Sequence, residues 1–224
     1  MSKEIVKTET ALASARKLNK SSQQLAIRRA SELTPSYVPH LSFNEVRQLA
    51  EAAAGLPKRQ QMRERNRLLV QALFDSCLRV SELLRVAPQD IVQFDTGWGL
   101  RVFTAKRRTW DTVAISASLA AQLQAYAYRH GISPGQPIFE VNASRVFQII
   151  KEAFDRAGLV KPRGVGTVHV LRHSGAIERL RQTGNPQSVQ EQLRHSSFRM
   201  TMRYFKTLSH EESVRIQQEV DFQW

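Results

Sequence analysis

Six side chains able to move protons or neutralise charge stand at intervals along this 224-residue chain: Arg79, Lys106, His169, Arg172, His195 and Tyr204. Arg79 lies in Leu78-Arg79-Val80-Ser81-Glu82-Leu83, and Lys106 heads the basic turn Lys106-Arg107-Arg108. His169 and Arg172 share the run His169-Val170-Leu171-Arg172-His173. His195 follows Leu193-Arg194, and Tyr204 comes nine residues later. Guanidinium groups grip oxyanions through a fixed fork of donors, imidazoles and amines carry protons, and a phenol can serve as a nucleophile. Singly, each has a plainer reading. An arginine at a helix start is usually a surface charge, a strand-end lysine marks a solvated hairpin, and a tyrosine beside phenylalanine is usually core.

Other local signatures of catalysis are absent from the sequence. It contains neither a G-x-x-x-x-G-K-[ST] phosphate loop nor a G-x-S-x-G elbow. Gly164-Val165-Gly166 is a lone G-x-G with no helix signal behind it. His169 and His173 have the four-residue spacing of a zinc protease, but that motif needs glutamate after the first histidine, and Val170 stands there. Cys77, the one cysteine, rules out an internal disulfide framework and a multi-cysteine zinc site. The charge balance is unusual: 33 Lys and Arg against 20 Asp and Glu give a net +13. A surplus of that size points to a polyanionic partner. No apolar run approaches the roughly 18 residues of a membrane-spanning helix, and the N-terminus lacks a signal-peptide core. The expectation is a soluble, cytoplasmic, nucleoid-associated protein.

The elements that must position these residues are legible in the periodicity. Residues 1–40 form a basic arm and linker. A polar helix is predicted over 4–33, the arm carries Lys3, Lys7, Arg16, Lys17, Lys20, Arg28 and Arg29, and Pro35 and Pro39 flank the exit. The main domain, 41–224, opens with a capping box, Ser42 with Glu45, and a helix that runs to Gly55. Helices are predicted over 58–77 and 81–86. The period then changes: Ile91, Val92 and Phe94, then Asp95-Thr96-Gly97, then Leu100, Val102 and Phe103, then Val113 and Ile115 predict a three-strand meander. Helical patterns return at 119–130, 143–157, 171–183 and 186–194, with Gly131, Gly158 and Gly184 just past three of them. A last amphipathic segment spans 210–220. The fold class is mainly α with a small three-stranded antiparallel sheet (α+β).

In this order and context, the six residues resemble the catalytic domain of the tyrosine recombinase (phage integrase) family. The resemblance rests on Arg79-Val80-Ser81-Glu82, Lys106, His169-Val170-Leu171-Arg172-His173, Leu193-Arg194-His195-Ser196-Ser197 and Tyr204, and covers roughly residues 41–208. Two departures stand out. The family usually has Gly where Arg194 precedes His195, and Thr-Gly where Ser76-Cys77 precedes Leu78-Arg79. Glycine at these places reads as common rather than chemically required.

The resemblance implies a site-specific DNA recombinase that cuts and rejoins strands through a 3′-phosphotyrosine intermediate. Tyr204 is then the nucleophile, Arg79 and Arg172 clamp the phosphate oxygens, and Lys106 protonates the leaving 5′-oxygen. His169 handles the tyrosine proton and His195 bonds a phosphate oxygen. Bond energy is stored in the ester, so neither nucleotide cofactor nor metal is expected. DNA-backbone contacts are assigned to Lys58, Arg59, Arg63, Arg107, Arg108, Arg28 and Arg29. The implied partners are double-stranded DNA, further copies of the chain (a dimer per site and a tetramer in synapsis) and a helper DNA-binding protein. The acidic tail, 209–224, is expected to reach an adjacent subunit. The arm is too short for the family's usual N-terminal core-binding domain. A type IB topoisomerase-like nicking-closing enzyme and a DNA-binding regulator with this fold are the alternatives.

Overall fold

A computed structural model describes residues 37–56, 59–104 and 108–218. The described residues from Val38 on form one unit. Ser42 and Glu45 do form a reciprocal capping box: the Glu45 N–H donates to Ser42 Oγ and the Ser42 N–H to Glu45 Oε2. Two orphan donors are thereby satisfied, and α1 (Phe43–Ala54) starts there. It buries Val46, Leu49, Ala50 and Ala53, the stripe that a helical period places on one face. α2 (Gln60–Asp75) buries Leu68, Leu69, Ala72 and Leu73, and the one-turn α3 (Val80–Leu83) follows.

The meander forms as the alternation predicts. β1 (Ile91–Phe94), β2 (Gly97–Thr104) and β3 (Thr109–Ile115) pair antiparallel in the order β1-β2-β3. Leu100 lies between Ile91 and Val113, and Thr104 pairs with Thr109 at the base of the second hairpin. Leu100, Val102, Val113 and Ile115 are buried while Arg101 and Thr112 between them are exposed, so one face meets the helices. α4 (Ala117–Arg129) and α5 (Ala143–Ala157) are N-capped by Ser116 and Asn142. α6 (His169–Thr183) carries the first histidine motif, and the second follows the end of α7 (Pro186–Leu193). Gly158 and Gly184 end α5 and α6 in the left-handed conformation, as their places in the sequence suggested.

Two clusters make up the core. The larger joins α1, α2, α4, α5 and the sheet, and the smaller gathers Val38, Cys77, Ala176, Ile177, Leu180, Val189, Leu193 and Tyr204. The smaller is the floor under the histidine motifs. Helix α6 approaches the end of α2 so closely that a Cβ on Gly175 would sit 1.9 Å from the Phe74 carbonyl oxygen. Polar ties hold the same corner. Arg179 donates to the Asp75 carbonyl and carboxylate and to the Ala114 carbonyl. Gln192 accepts from the Ala114 N–H and donates to the Ser76 and Ala114 carbonyls. The end of α2, strand β3 and helices α6 and α7 are thus fixed against one another.

The last helix extends one expectation. The amphipathic segment expected over 210–220 belongs to a longer helix: α8 runs unbroken over Phe198–Gln218. No glycine or proline occurs in that stretch to end it. The tail's Glu211 pairs with Arg181 and His40 of its own chain, at 3.4 and 3.6 Å. Residues 219–224 and the helix expected over 4–33 lie outside the described residues.

Candidate active site

Arg79 is the first residue ahead of α3, and the R-x-S-E spacing brings Glu82 back to it. The Arg79 N–H donates to Glu82 Oε2 at 2.9 Å, and Arg79 Nη1 donates to Oε1 at 3.0 Å. About half of the Arg79 side chain stays open to solvent. Burial pushes the Glu82 carboxyl up, but the Arg79 N–H and the Arg194 guanidinium outweigh it and hold the group below the usual carboxylate range.

Arg172, three residues into α6, is buried and donates to two backbone carbonyls, those of Cys77 and Leu193. Burial, then the charge of Arg79, depresses it, although a guanidinium keeps its proton at neutral pH. Both carbonyls belong to left-handed turns. Cys77 has φ 53°, and Arg194, which follows Leu193, has φ 53° and ψ 41°. These are the two positions at which the chain departs from the glycine that the resemblance implied. The departures therefore have a conformational meaning that the sequence reading did not assign: an L-residue there costs roughly 1–2 kcal/mol in backbone strain.

Around Arg172 lie the histidines and the tyrosine. Tyr204 Oη and His173 Nδ1 share a hydrogen bond of 2.7 Å, and Tyr204 is 4% exposed. His169 stands one ring further out, edge-on to His173 with centroids 4.7 Å apart. The ring meeting the phenol is therefore His173, where the sequence pointed to His169. His195 stacks on Tyr204 at 6.1 Å and bonds Thr201 Oγ1 through Nδ1. Burial pushes the Tyr204 phenol up to about 12, with Arg172 opposing. His173 is pushed down to about 3 by burial, then by His169 and Arg172, and His195 to about 4 by burial, then by Arg172 and Arg79. His169 is lowered by the same burial and the same two arginines. Cations in excess of the one carboxylate, Glu82, together with buried imidazoles make a pocket that favours an incoming anion.

Arg79, His169, Arg172, His195 and Tyr204, up to 125 positions apart in sequence, thus act electrostatically on one another. Lys106, Arg107, Lys58, Arg28 and Arg29 lie outside the described residues. Arg59, Arg63 and Arg108 are described and exposed. Two other cations of the same helix have intramolecular partners: Arg67 pairs with Glu51 at 2.7 Å, and Arg65 donates to Asn66. The sequence reading missed His173, Glu82 and Arg194 as parts of the site. All three stood inside the quoted motifs, and only their contacts single them out.

The profile of the phage integrase family matches residues 39–211, a span that contains Arg79, Lys106, His169, Arg172, His195 and Tyr204. The chain belongs to the phage integrase family. Among the family's relatives, the tyrosine recombinase XerA of Pyrococcus furiosus is 29% identical over 197 residues, 84% of this chain and 63% of that protein. The XerH site-specific recombinase bound to difH substrate in a pre-cleavage complex is 21% identical, with a TM-score of 0.64 over 79% of this chain and 53% of its own. A lambda integrase tetramer bound to a Holliday junction gives a TM-score of 0.56 at 21% identity, over 74% of this chain and 47% of that one. At such identities the likeness establishes the fold, a phage integrase catalytic domain. The chain spans 52% to 64% of the length of the first curated relatives it matches.

Proposed function

We propose that this chain cuts and rejoins duplex DNA through a covalent bond between Tyr204 and a 3′-phosphate, as a tyrosine-type site-specific recombinase. The observation that carries this reading is the buried Tyr204 hydroxyl in one cluster with Arg172, His173 and His195, within a phage integrase domain. In the cleavage step Tyr204 Oη bonds to phosphorus while the bond from phosphorus to the 5′-oxygen breaks. The phenol proton passes to the imidazoles beside it, and Lys106 donates a proton to the departing 5′-oxygen. A phosphate seated there brings negative charge among the imidazoles, which raises their affinity for that proton. Arg79 and Arg172 oppose the charge that grows on the non-bridging oxygens, each such donor being worth about 3–4 kcal/mol in the transition state. Arg172 exchanges its two carbonyl partners for phosphate oxygens as DNA seats. Return of a 5′-hydroxyl onto the phosphotyrosine reverses the step with no nucleotide consumed.

Residues 41–224 serve as the catalytic domain and 1–40 as a basic arm. Lys58, Arg59, Arg63, Arg107, Arg108, Arg28 and Arg29 contact the backbone of the DNA, and copies of the chain assemble on paired sites. Structural relatives crystallised on DNA and as a tetramer on a Holliday junction support that part of the reading. The test is a nicked DNA substrate that traps the covalent complex. Wild-type protein should give a slow-migrating adduct on a denaturing gel, undiminished by EDTA. Tyr204→Phe should bind the DNA and give none. An adduct of normal yield from Tyr204→Phe would refute the assignment.

A further inference from the structure

Arg194 keeps an arginine on a left-handed backbone that suits glycine, so what it contributes must come from its side chain. That side chain is 6% exposed. Nη2 donates to Glu82 Oε2 at 2.6 Å, and Nη1 donates to Thr104 Oγ1 at 3.1 Å. Nε is buried with no hydrogen-bond partner among the described residues. Thr104 in turn donates to Asp111 Oδ2 across the hairpin, which anchors the contact in the sheet. Glu82 is also the carboxylate that holds Arg79 through both its N–H and its Nη1. One carboxylate therefore sits between two guanidinium groups, one buried and one half open to solvent.

We infer that Arg194 is a positioning residue for the phosphate clamp, acting on Arg79 through Glu82; the inference rests on the cleavage reading above. The three groups carry a net charge of +1. With Arg194 present, Glu82 is satisfied from the buried side and fixed against β2, so it orients Arg79 without cancelling its charge. With glycine at 194, Glu82 faces Arg79 alone, the pair is neutral, and the carboxylate is free to draw Arg79 into a two-pronged ion pair. Arg79 then has less charge to offer a phosphate and a different direction in which to offer it.

The experiment is single-turnover adduct formation at saturating DNA by wild type, Arg194→Gly and the double variant Arg194→Gly with Glu82→Gln. Each is assayed on an ordinary scissile phosphodiester and on one carrying a methylphosphonate, where a methyl group replaces a charged non-bridging oxygen. Glycine relaxes the backbone at 194, so the variant should fold, and its melting temperature confirms that independently. Arg194→Gly should slow adduct formation about ten- to a hundredfold on the phosphodiester, the scale of loss expected when a reacting group is misplaced. On the methylphosphonate the loss should fall below about threefold, because the charge that Arg79 opposes is gone. Glu82→Gln should restore most of the rate on the phosphodiester. Equal losses on both substrates, or no restoration by Glu82→Gln, would mean that Arg194 is merely structural and would overturn the inference. An undiminished rate in Arg194→Gly overturns it alone, whereas no Tyr204 adduct from wild-type protein overturns the cleavage reading and this inference with it.

Discussion

At the scale of single residues, the three imidazoles of the site make stability depend on pH. Three imidazoles are held below the ordinary histidine range, His173 to about 3 and His195 to about 4, so the folded chain keeps them neutral where the unfolded chain protonates near 6.5. Between those values the unfolded state binds more protons, and stability rises with pH. The protein should therefore be at full stability above about pH 6.5 and lose it progressively as the pH falls towards 4, which urea titrations across that range would measure. His173→Gln should flatten the acid limb, and an unchanged slope in that variant would place the linkage elsewhere. Tyr204→Phe removes one partner of the 2.7 Å bond and should lower stability by about 1 kcal/mol, measurable in the same titrations.

At the scale of elements, the spacing of α6 from α2 decides whether Arg172 reaches its partners. Gly175→Ala would place a methyl group against the Phe74 backbone oxygen, and backbone cannot swing aside as a side-chain tip can. We expect a loss of about 1–3 kcal/mol in thermal unfolding, the usual scale for overpacking, together with slower cleavage as Arg172 shifts from the Cys77 and Leu193 carbonyls. A fully stable, fully active alanine variant would show that the two helices tolerate a wider gap. Element types were readable because each followed one strong local signal: the capping box at Ser42, the alternation from Ile91 to Ile115, the glycines past α5 and α6. What local signals could not show was tertiary. That α8 continues past His210 depends on the absence of a breaker, which is weaker than the presence of one. Positive φ at Cys77 and Arg194 is invisible where no glycine announces it. His169 and His173 stand one turn apart on the same side of α6, so the choice between them turns on where along that helix Tyr204 meets it.

At the scale of the whole molecule, the net +13 makes salt the first variable to control. If the arm lies on DNA, deleting residues 2–34 removes seven cations and three acids. Affinity should fall and its dependence on salt should flatten, because fewer counterions are released on binding. An unchanged slope in filter-binding assays would take the arm off the DNA. One further property belongs to the chain as a whole: it has a single thiol, and that thiol lies in the floor of the site. Cys77 is fully buried, its ionisation is pushed up to about 11, and its own carbonyl accepts from Arg172. A thiol-specific dye can react there only when the floor opens, so the ratio of the labelling rate of a free cysteine to that of Cys77 is a protection factor for this one corner of the protein. The chain thus carries its own stopwatch for local opening, with no competing cysteine to remove, and DNA that draws Arg172 away from the Cys77 carbonyl would change its reading.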